Sequence, residues 1–259
     1  MRETVPSVHL ICRPQVDVYG LGRYLDKVGG MSWLDRRVDE DVCDAELLVE
    51  AAGRSCYRSW EPGLNANVTR VREDRAAYFD NLLRSGHGSV LEHASFTFAL
   101  RDVSRVFTHE LVRHRAGSAF SQESLRFVRL TDIGFRVPPA LEPLRKQVIE
   151  VVERLEEVQR TAAEDLHIDD DGMTFREKKE ITSALRRLAP IGLSTDIIWT
   201  ANVRTLRHVV TMRTAPGAEE ELRLVFDRVG QIMAREVPLM WADFERADDG
   251  TWIPDYGRA

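Results

Sequence analysis

The sequence predicts a helix-rich mixed α/β (α+β) fold in a single domain, residues 1–259. Residues 7–12 are a short apolar run typical of an early strand. Residues 96–100 alternate large apolar with smaller side chains, which indicates a second, half-buried strand. Between residues 148 and 237, apolar positions recur at helical spacing. A chain of 259 residues is within reach of one domain, although two would also fit.

Helices are predicted over 44–54, 69–85, 104–114, 148–166, 181–188 and 222–237. The last stripe, Leu222 to Val237, is longer than one helix buries in a small monomer, so it predicts oligomerisation. The link at 167–172 is acidic but lacks the remaining spacing of a calcium site, which indicates a solvated loop.

Composition is that of a soluble globular protein, 43% hydrophobic and 30% charged. The net charge of −6 argues against a nucleic acid polymer as partner. Arginine is nevertheless dense in residues 101–129 and 186–213. A small anionic ligand such as a phosphate ester would explain this density, and so would solvated helix faces with glutamate partners.

The three cysteines, Cys12, Cys43 and Cys56, show no zinc-site spacing, and their sparse count suits a reducing compartment. No segment approaches the roughly 20 apolar residues that span a bilayer, and the N-terminus lacks a signal-peptide run. We therefore expect a cytoplasmic protein with no membrane partner and no metal site.

The most informative segment runs from Glu110 to Arg126. Arg113, His114 and Arg115 stand at the predicted end of a helix, with Gly117 as a plausible terminator. Three donors fanned out at a helix end can surround an extended anion, and a serine-rich loop follows them. The alternative is that these cations only interact with the negative end of the helix dipole and that an ordinary loop follows.

A second polar set, Asn202, Arg204 and His208, lies among apolar residues and is followed by Arg213. A buried arginine needs an anionic partner, which a ligand or an internal glutamate would supply. In a third set, residues 86–89, the glycines permit close approach of a ligand to the backbone.

Signatures of other enzyme classes are absent from the sequence. It contains no GxSxG, no Walker loop, no GxGxxG and no Pro-Cys dipeptide. Acyl transfer and an NAD domain therefore have little support.

At these residues the sequence resembles the flavin-dependent thymidylate synthases. Their signature is Arg-His-Arg, a short gap, then Ser-x-Arg, which residues 113–115, Ser124 and Arg126 match. The resemblance covers residues 45–245 and includes these further segments: Cys56-Tyr57, Gly86-His87, Glu92 to Phe98, Arg186 to Pro190, Asn202-x-Arg204 and Arg213.

The resemblance implies a homotetramer with shared active sites and a central, mainly antiparallel sheet. It implies bound FAD that NADPH reduces, methylenetetrahydrofolate as carbon donor, and a uridine nucleotide as substrate. The flavin residues would be His87, Ser89, Arg113, His114, Arg115, Gln122, Asn202, Val203, Arg204 and His208. The nucleotide residues would be Glu110, Arg113, Gln122, Glu123, Ser124, Leu125, Arg126, Arg186 and Arg213.

By the same resemblance Arg213 is the catalytic residue that polarises the uracil ring. The chemistry agrees, because C5 of uracil is a poor nucleophile until a cation near the N3–O4 edge stabilises the ring anion. No cysteine adduct is then needed, and we expect Cys56 to be packed rather than reactive. Ser124 has no general base at hydrogen-bonding spacing, so it is expected to bind the nucleotide.

The sequence departs from the family pattern at several positions. Eight residues separate Arg115 from Ser124, where seven is commonest. Phe127 stands where Tyr is usual, Glu110 where Gln is frequent and His208 where some members have Asn, and residues 29–44 have no counterpart. The substrate could be deoxyuridylate, giving thymidylate, or uridylate, as in nucleoside natural-product pathways. The remaining alternative is a non-catalytic phosphate- or RNA-binding module.

Overall fold

The structure, a computed structural model, describes residues 1–38, 40 and 42–257. Its contacts divide the chain into two compact units. Unit 1 comprises residues 1–9, 99–114 and 120–199, and unit 2 comprises residues 10–98, 115–119 and the described residues from 200 onward. One domain over residues 1–259 stays a prediction.

The predicted mixture of helices and strands is confirmed. The helices are α1 (Val18–Val28), α2 (Met31–Val38), α3 (Asp44–Tyr57), α4 (Arg75–Arg84), α5 (Arg105–Leu111), α6 (Arg145–Asp165), α7 (Phe175–Leu185), α8 (Val203–Thr214) and α9 (Glu220–Glu236). Short 3-10 turns cover Gly88–His93, Pro139–Leu144 and Arg186–Leu188. None of the helices in the described part of the chain is long and apolar enough to cross a bilayer.

The strands are β1 (Arg2–Glu3), β2 (Ser7–Cys12), β3 (Ser95–Ser104), β4 (Ser118–Gln122), β5 (Gly134–Phe135), β6 (Ser194–Asn202), β7 (Phe244–Arg246) and β8 (Trp252–Pro254). The order β2-β3-β6-β4 forms an antiparallel sheet, as expected. Strand β1 pairs in parallel with β5, and β7 pairs in antiparallel fashion with β8.

The helix predicted over 69–85 is too long at its start, because α4 begins six residues later. Arg54 Nη2 donates to the carbonyl oxygen of Arg72 at 2.7 Å, so that carbonyl is engaged by a side chain. Asp74 then accepts from the backbone N of Ala77 at 2.6 Å and caps the helix. The segment before the cap is thereby held outside the helix.

The burial of helix α9 removes the argument that its long apolar stripe requires a second subunit. Its apolar stripe packs within the single chain, where Leu222, Val225, Phe226, Val229 and Met233 are all 0% exposed. The helix lies against α8 in unit 2. The length of the stripe therefore gives no reason for a second subunit.

A carboxylate with no exposed surface, Glu50 of α3, organises much of unit 2. Its Oε1 accepts from Trp33 Nε1 at 2.9 Å, Arg54 Nε at 2.9 Å and Arg37 Nη2 at 3.2 Å. Its Oε2 accepts from Arg75 Nε at 3.0 Å. Burial alone would raise the pKa of Glu50, but the arginine charges and the indole hydrogen bond outweigh burial and hold it below the ordinary value.

These contacts give the segment 29–44 a structural role in unit 2. Trp33 is 1% exposed and packs against Trp60, with the ring centroids 5.0 Å apart. Both indoles belong to an apolar cluster with Leu25. Asp39 and Asp41 lie outside the described residues.

Candidate active site

The Arg-His-Arg turn follows α5, which ends three residues earlier than predicted. Arg113 N donates to Glu110 O at 3.3 Å and His114 N to Leu111 O at 3.0 Å, so the chain tightens and leaves the helix. Arg113 and Arg115 are exposed and His114 is half-buried. The turn therefore presents two guanidinium groups outward.

Gly117 does not terminate α5 but joins the turn to α8 within unit 2. Its φ is 65°, and its carbonyl accepts from the backbone N of Asn202 at 3.1 Å. Thr205 Oγ1 donates to the carbonyl of Ala116 at 2.8 Å. A Cβ at position 117 would lie 2.4 Å from Asn202 Nδ2, so the backbones approach as closely as glycine permits. Two segments that were predicted separately to bind flavin thus come into contact, at Gly117 and Asn202.

Helix α8 places some residues of the polar set 202–208 in the core and others at the surface. Asn202 caps the helix by accepting from Thr205 N at 2.9 Å. The side chain of Val203 is 0% exposed, which leaves only its main chain for a ligand. Arg204 and His208, one turn apart, are exposed, and Arg204 Nη1 pairs with Glu92 Oε1 at 2.6 Å.

His87 and Ser89 belong to the 3-10 turn region that packs against α3 and α8 in unit 2. His87 is half-buried and its ring meets Tyr57 edge-on, with the centroids 5.6 Å apart, whereas Ser89 is exposed. Tyr57 and His87 line a pocket of about 410 Å³, together with Arg70 and Arg72. No sequence signal pointed to these arginines, because their segment was predicted as helix.

Unit 2 therefore carries a donor set that fits a flavin nucleotide. Two exposed guanidinium groups suit its diphosphate, and an imidazole, a hydroxyl and a capping amide suit its polar groups. Of the other predicted flavin residues, Arg113, His114 and Gln122 lie on unit 1.

Unit 1 contains a pocket of about 290 Å³ that brings together three predicted nucleotide residues, Gln122, Leu125 and Arg186. Gln122 Nε2 donates to Thr108 Oγ1 of α5 at 3.1 Å. The remaining lining residues are Arg105, Thr108, His109, Val112, Ala189, Pro190 and Ile191.

Arg105 is the functional candidate that sequence reasoning missed. Its Nη2 donates to the carbonyl of Glu123 at 2.9 Å, while its Nε is buried without a hydrogen-bond partner among the described residues. Burial lowers the pKa of Arg105, the Glu123 carboxylate opposes that effect, and the positive Arg186 reinforces it. Two neighbouring cations and an unsatisfied donor favour an anion in this pocket. The only sequence signal was the arginine density of residues 101–129.

The other predicted nucleotide residues lie outside that pocket's lining. Glu123 accepts from the backbone N of Asp196 at 3.2 Å and lines a different pocket, of about 430 Å³. Ser124 Oγ accepts from Arg126 N at 3.4 Å. The eight-residue gap between Arg115 and Ser124 contains the whole of β4.

The fully buried arginine of α8 is Arg207, not Arg213. Arg207 donates to both carboxylate oxygens of Asp243, at 2.8 and 2.7 Å, which makes its anionic partner internal. Arg213 is half-buried in the last turn of α8. It lies nine positions after Arg204 in the same helix, about 13.5 Å along the axis.

The cysteines take no part in these groups. Cys56 is exposed, which corrects the expectation that it is packed. Burial, reinforced by the neighbouring Glu46 carboxylate, raises the pKa of Cys43 to about 11. Within the described residues, no cluster of three or more His, Cys, Asp or Glu side chains could hold a metal ion.

Comparison with known proteins agrees with these motifs. Residues 39–239 match the family model described as "Thymidylate synthase complementing protein". The chain is 33% identical to a flavin-dependent thymidylate synthase of Corynebacterium diphtheriae over 238 residues, 87% of this chain and 92% of the relative. It is 35% identical to the Mycobacterium avium enzyme of the same name over 220 residues, 82% and 86% of the two chains.

A solved structure gives the fold independently. The crystal structure of the UMP/dUMP methylase PolB from Streptomyces cacaoi, bound with 5-Br UMP, superposes with a TM-score of 0.59. The alignment covers 93% of this chain and 94% of PolB at 19% identity. On the family match and the two relatives, the chain belongs to the flavin-dependent thymidylate synthase family and is a flavin-dependent transferase of nucleotide biosynthesis.

Proposed function

We propose that the protein methylates C5 of the uracil of deoxyuridine monophosphate, giving thymidylate. Methylenetetrahydrofolate is the carbon donor in this proposal, and NADPH is the source of reducing equivalents. The observation that carries the substrate assignment is the unit 1 pocket, where Arg105 and Arg186 face one small cavity. A nucleoside monophosphate brings the dianionic group that two guanidinium groups bind best.

The pocket suits the phosphate end of the nucleotide. Its volume of about 290 Å³ is near the lower limit of small-molecule sites. Arg105 and Arg186 would bind the phosphate, while the Gln122 amide and the Thr108 hydroxyl offer further hydrogen bonds.

FAD is assigned to residues of unit 2, where Arg115, Asn202, Arg204, His208, Ser89 and His87 would hold it. For Arg113, His114 and Gln122 the flavin role rests on the resemblance alone. When bound, reduced flavin supplies the hydride that completes the methyl group.

Arg213 is proposed as the catalytic residue. A half-buried guanidinium beside the N3–O4 edge of uracil would stabilise the ring as it gains negative charge, so its effect is greatest in the transition state. We expect Arg213→Ala to lower the single-turnover rate on the order of a hundredfold while flavin content stays near that of the unaltered enzyme. Arg213→Lys should also be poor, because a point charge does not reproduce the planar fork.

A structural role for Arg213 makes the opposite prediction. Folded, flavin-replete Arg213→Ala protein with a near-normal single-turnover rate would defeat the catalytic assignment. Flavin content, thermal stability and rate should be measured on the same preparation.

The substrate assignment is tested by adjacent arginines. Arg186 lines the pocket, whereas Arg187, which is also exposed, does not. Loss of one charge-assisted contact should raise the nucleotide KM of Arg186→Gln about tenfold to a hundredfold, and Arg187→Gln should leave it unchanged. Equal KM values in the two variants would remove the phosphate from this pocket.

The second candidate substrate is uridine monophosphate, because PolB, which has a similar fold, is a UMP/dUMP methylase. Turnover of the two nucleotides side by side decides between them. Membership in an enzyme family argues against the non-catalytic phosphate- or RNA-binding module. The homotetramer with shared sites and the cytoplasmic location rest on the resemblance and the composition.

A further inference from the structure

The signature loop, residues 124–131, carries Ser124 and Arg126 but contains neither helix nor strand. Its internal bonds are short-range turns, such as Phe127 N to Ser124 O at 2.9 Å. One end is fixed, because Leu130 is 6% exposed and packs in the apolar core of unit 1. The tip, 126–129, therefore depends on side-chain contacts for its conformation.

The first such contact is aromatic. The Phe127 ring stacks on Phe175, with centroids 6.3 Å apart and an interplanar angle of 19°. Lys179 Nζ lies 5.1 Å from the centroid of the Phe127 ring. Phe175 and Lys179 are one turn apart on α7, so the helix meets the loop with a single face. Both rings are otherwise exposed, Phe127 by 57% and Phe175 by 70%.

The second contact is ionic and involves the acidic link at 167–172. Arg129 donates to both carboxylate oxygens of Asp169, at 2.7 and 2.6 Å. The preceding residue, Ile168, is 1% exposed and donates from its backbone N to Ala163 O at 3.1 Å. Asp169 therefore extends from a turn that is itself fixed to the core, although the sequence indicated only a solvated loop.

We propose that Phe175, Lys179 and Asp169 are positioning residues for the nucleotide. They contact the tip of the signature loop without being part of it, and these contacts keep Ser124 and Arg126 ordered before the substrate binds. A loop ordered in advance loses less conformational freedom on binding, which strengthens binding without adding a contact. The inference rests on the proposed function, since it is through the nucleotide that the loop acts.

The test compares each variant with a matched neighbour. Phe175→Ala removes the ring stack, and Arg176→Ala alters the next residue on α7. Asp169→Asn removes the carboxylate that Arg129 binds, and Asp171→Asn changes an exposed acid of the same link. The readouts are hydrogen exchange of residues 124–131, nucleotide KM and kcat, and flavin content.

In Phe175→Ala and Asp169→Asn we expect faster exchange in the signature loop and a nucleotide KM raised about threefold to tenfold. Their kcat and flavin content should stay near those of the unaltered enzyme, and both control variants should match it throughout. Phe175→Tyr should restore KM, because the ring stack is retained. A merely structural role would instead lower stability without separating KM from kcat.

Unchanged exchange and unchanged KM in both variants would overturn the inference. Exchange that rises without a change in KM would overturn the positioning role. Unaltered protein that binds neither deoxyuridylate nor uridylate would overturn the proposed function instead, and the exchange data would still show whether these contacts hold the loop.

Discussion

Gly117→Ala tests how the Arg-His-Arg turn is held against α8. The left-handed conformation, φ 65°, costs a residue with a Cβ roughly 1–2 kcal/mol. The new Cβ would also lie 2.4 Å from Asn202 Nδ2 and 2.5 Å from Thr205 Oγ1, so both side chains must move. Losing the Asn202 cap costs roughly 0.5–2 kcal/mol more. Together we expect a loss of about 2–4 kcal/mol.

Two glycines separate these contributions. At Gly63 φ is 89° and a Cβ would meet nothing within 4 Å, so Gly63→Ala carries the backbone cost alone. At Gly172 the space is equally open and φ is not in the left-handed range, so Gly172→Ala should be nearly neutral. The difference between the variants at 117 and 63 measures the contact with α8.

The assays are thermal unfolding and FAD titration by flavin fluorescence. At roughly 2 °C per kcal/mol for a chain of this length, Tm should fall by about 4–8 °C in Gly117→Ala. FAD binding should weaken as well, because the turn bearing Arg115 moves relative to Asn202. Equal Tm values for the variants at 117 and 172, with unchanged FAD affinity, would refute the role of this junction.

Three further predictions follow. Asp243→Ala leaves Arg207 buried without its carboxylate and should cost about 3–5 kcal/mol in urea unfolding; a loss under 1 kcal/mol would contradict the pairing. At pH 8 a thiol-specific reagent should modify Cys43 roughly a hundredfold more slowly than the exposed Cys12 and Cys56, because a pKa of about 11 leaves little thiolate, and equal rates would contradict this. Light scattering at micromolar concentration should report a tetramer, and a monomer would defeat the shared-site proposal.

Local pattern predicted those features that local interactions decide. Strands β2 and β3, helices α6 and α9 and the second half of α7 follow from periodicity, because side chains two or four residues apart share a face. Helix α8 was not predicted. The start of α4 was wrong because Arg54, from a different helix, engages the carbonyl of Arg72. Periodicity contains no information about such a distant partner.

In the candidate site, too, local sequence predicts the residues but not their contacts with distant parts of the chain. The arginines of residues 113–115 are recognisable from sequence alone, but the contact between the following Gly117 and Asn202 joins positions 85 residues apart in the chain. Arg207 was not singled out because its partner, Asp243, is 36 residues away. Arg105 was missed because only the folded chain buries its Nε.

The buried carboxylate of Glu50 limits which amino-acid substitutions the surrounding positions tolerate. If it were replaced by a neutral residue, the buried Arg37, Arg54 and Arg75 would lose the carboxylate that they share. Glu40 would still pair with Arg37, and Glu46 with Arg75. The loss of one arginine would in turn remove one of the donors that hold the pKa of the buried Glu50 carboxyl below its ordinary value. These four positions should therefore covary: related chains should either keep Glu50 and all three arginines or replace all four. A chain that has lost only one of them should carry another charged group that neutralises the rest.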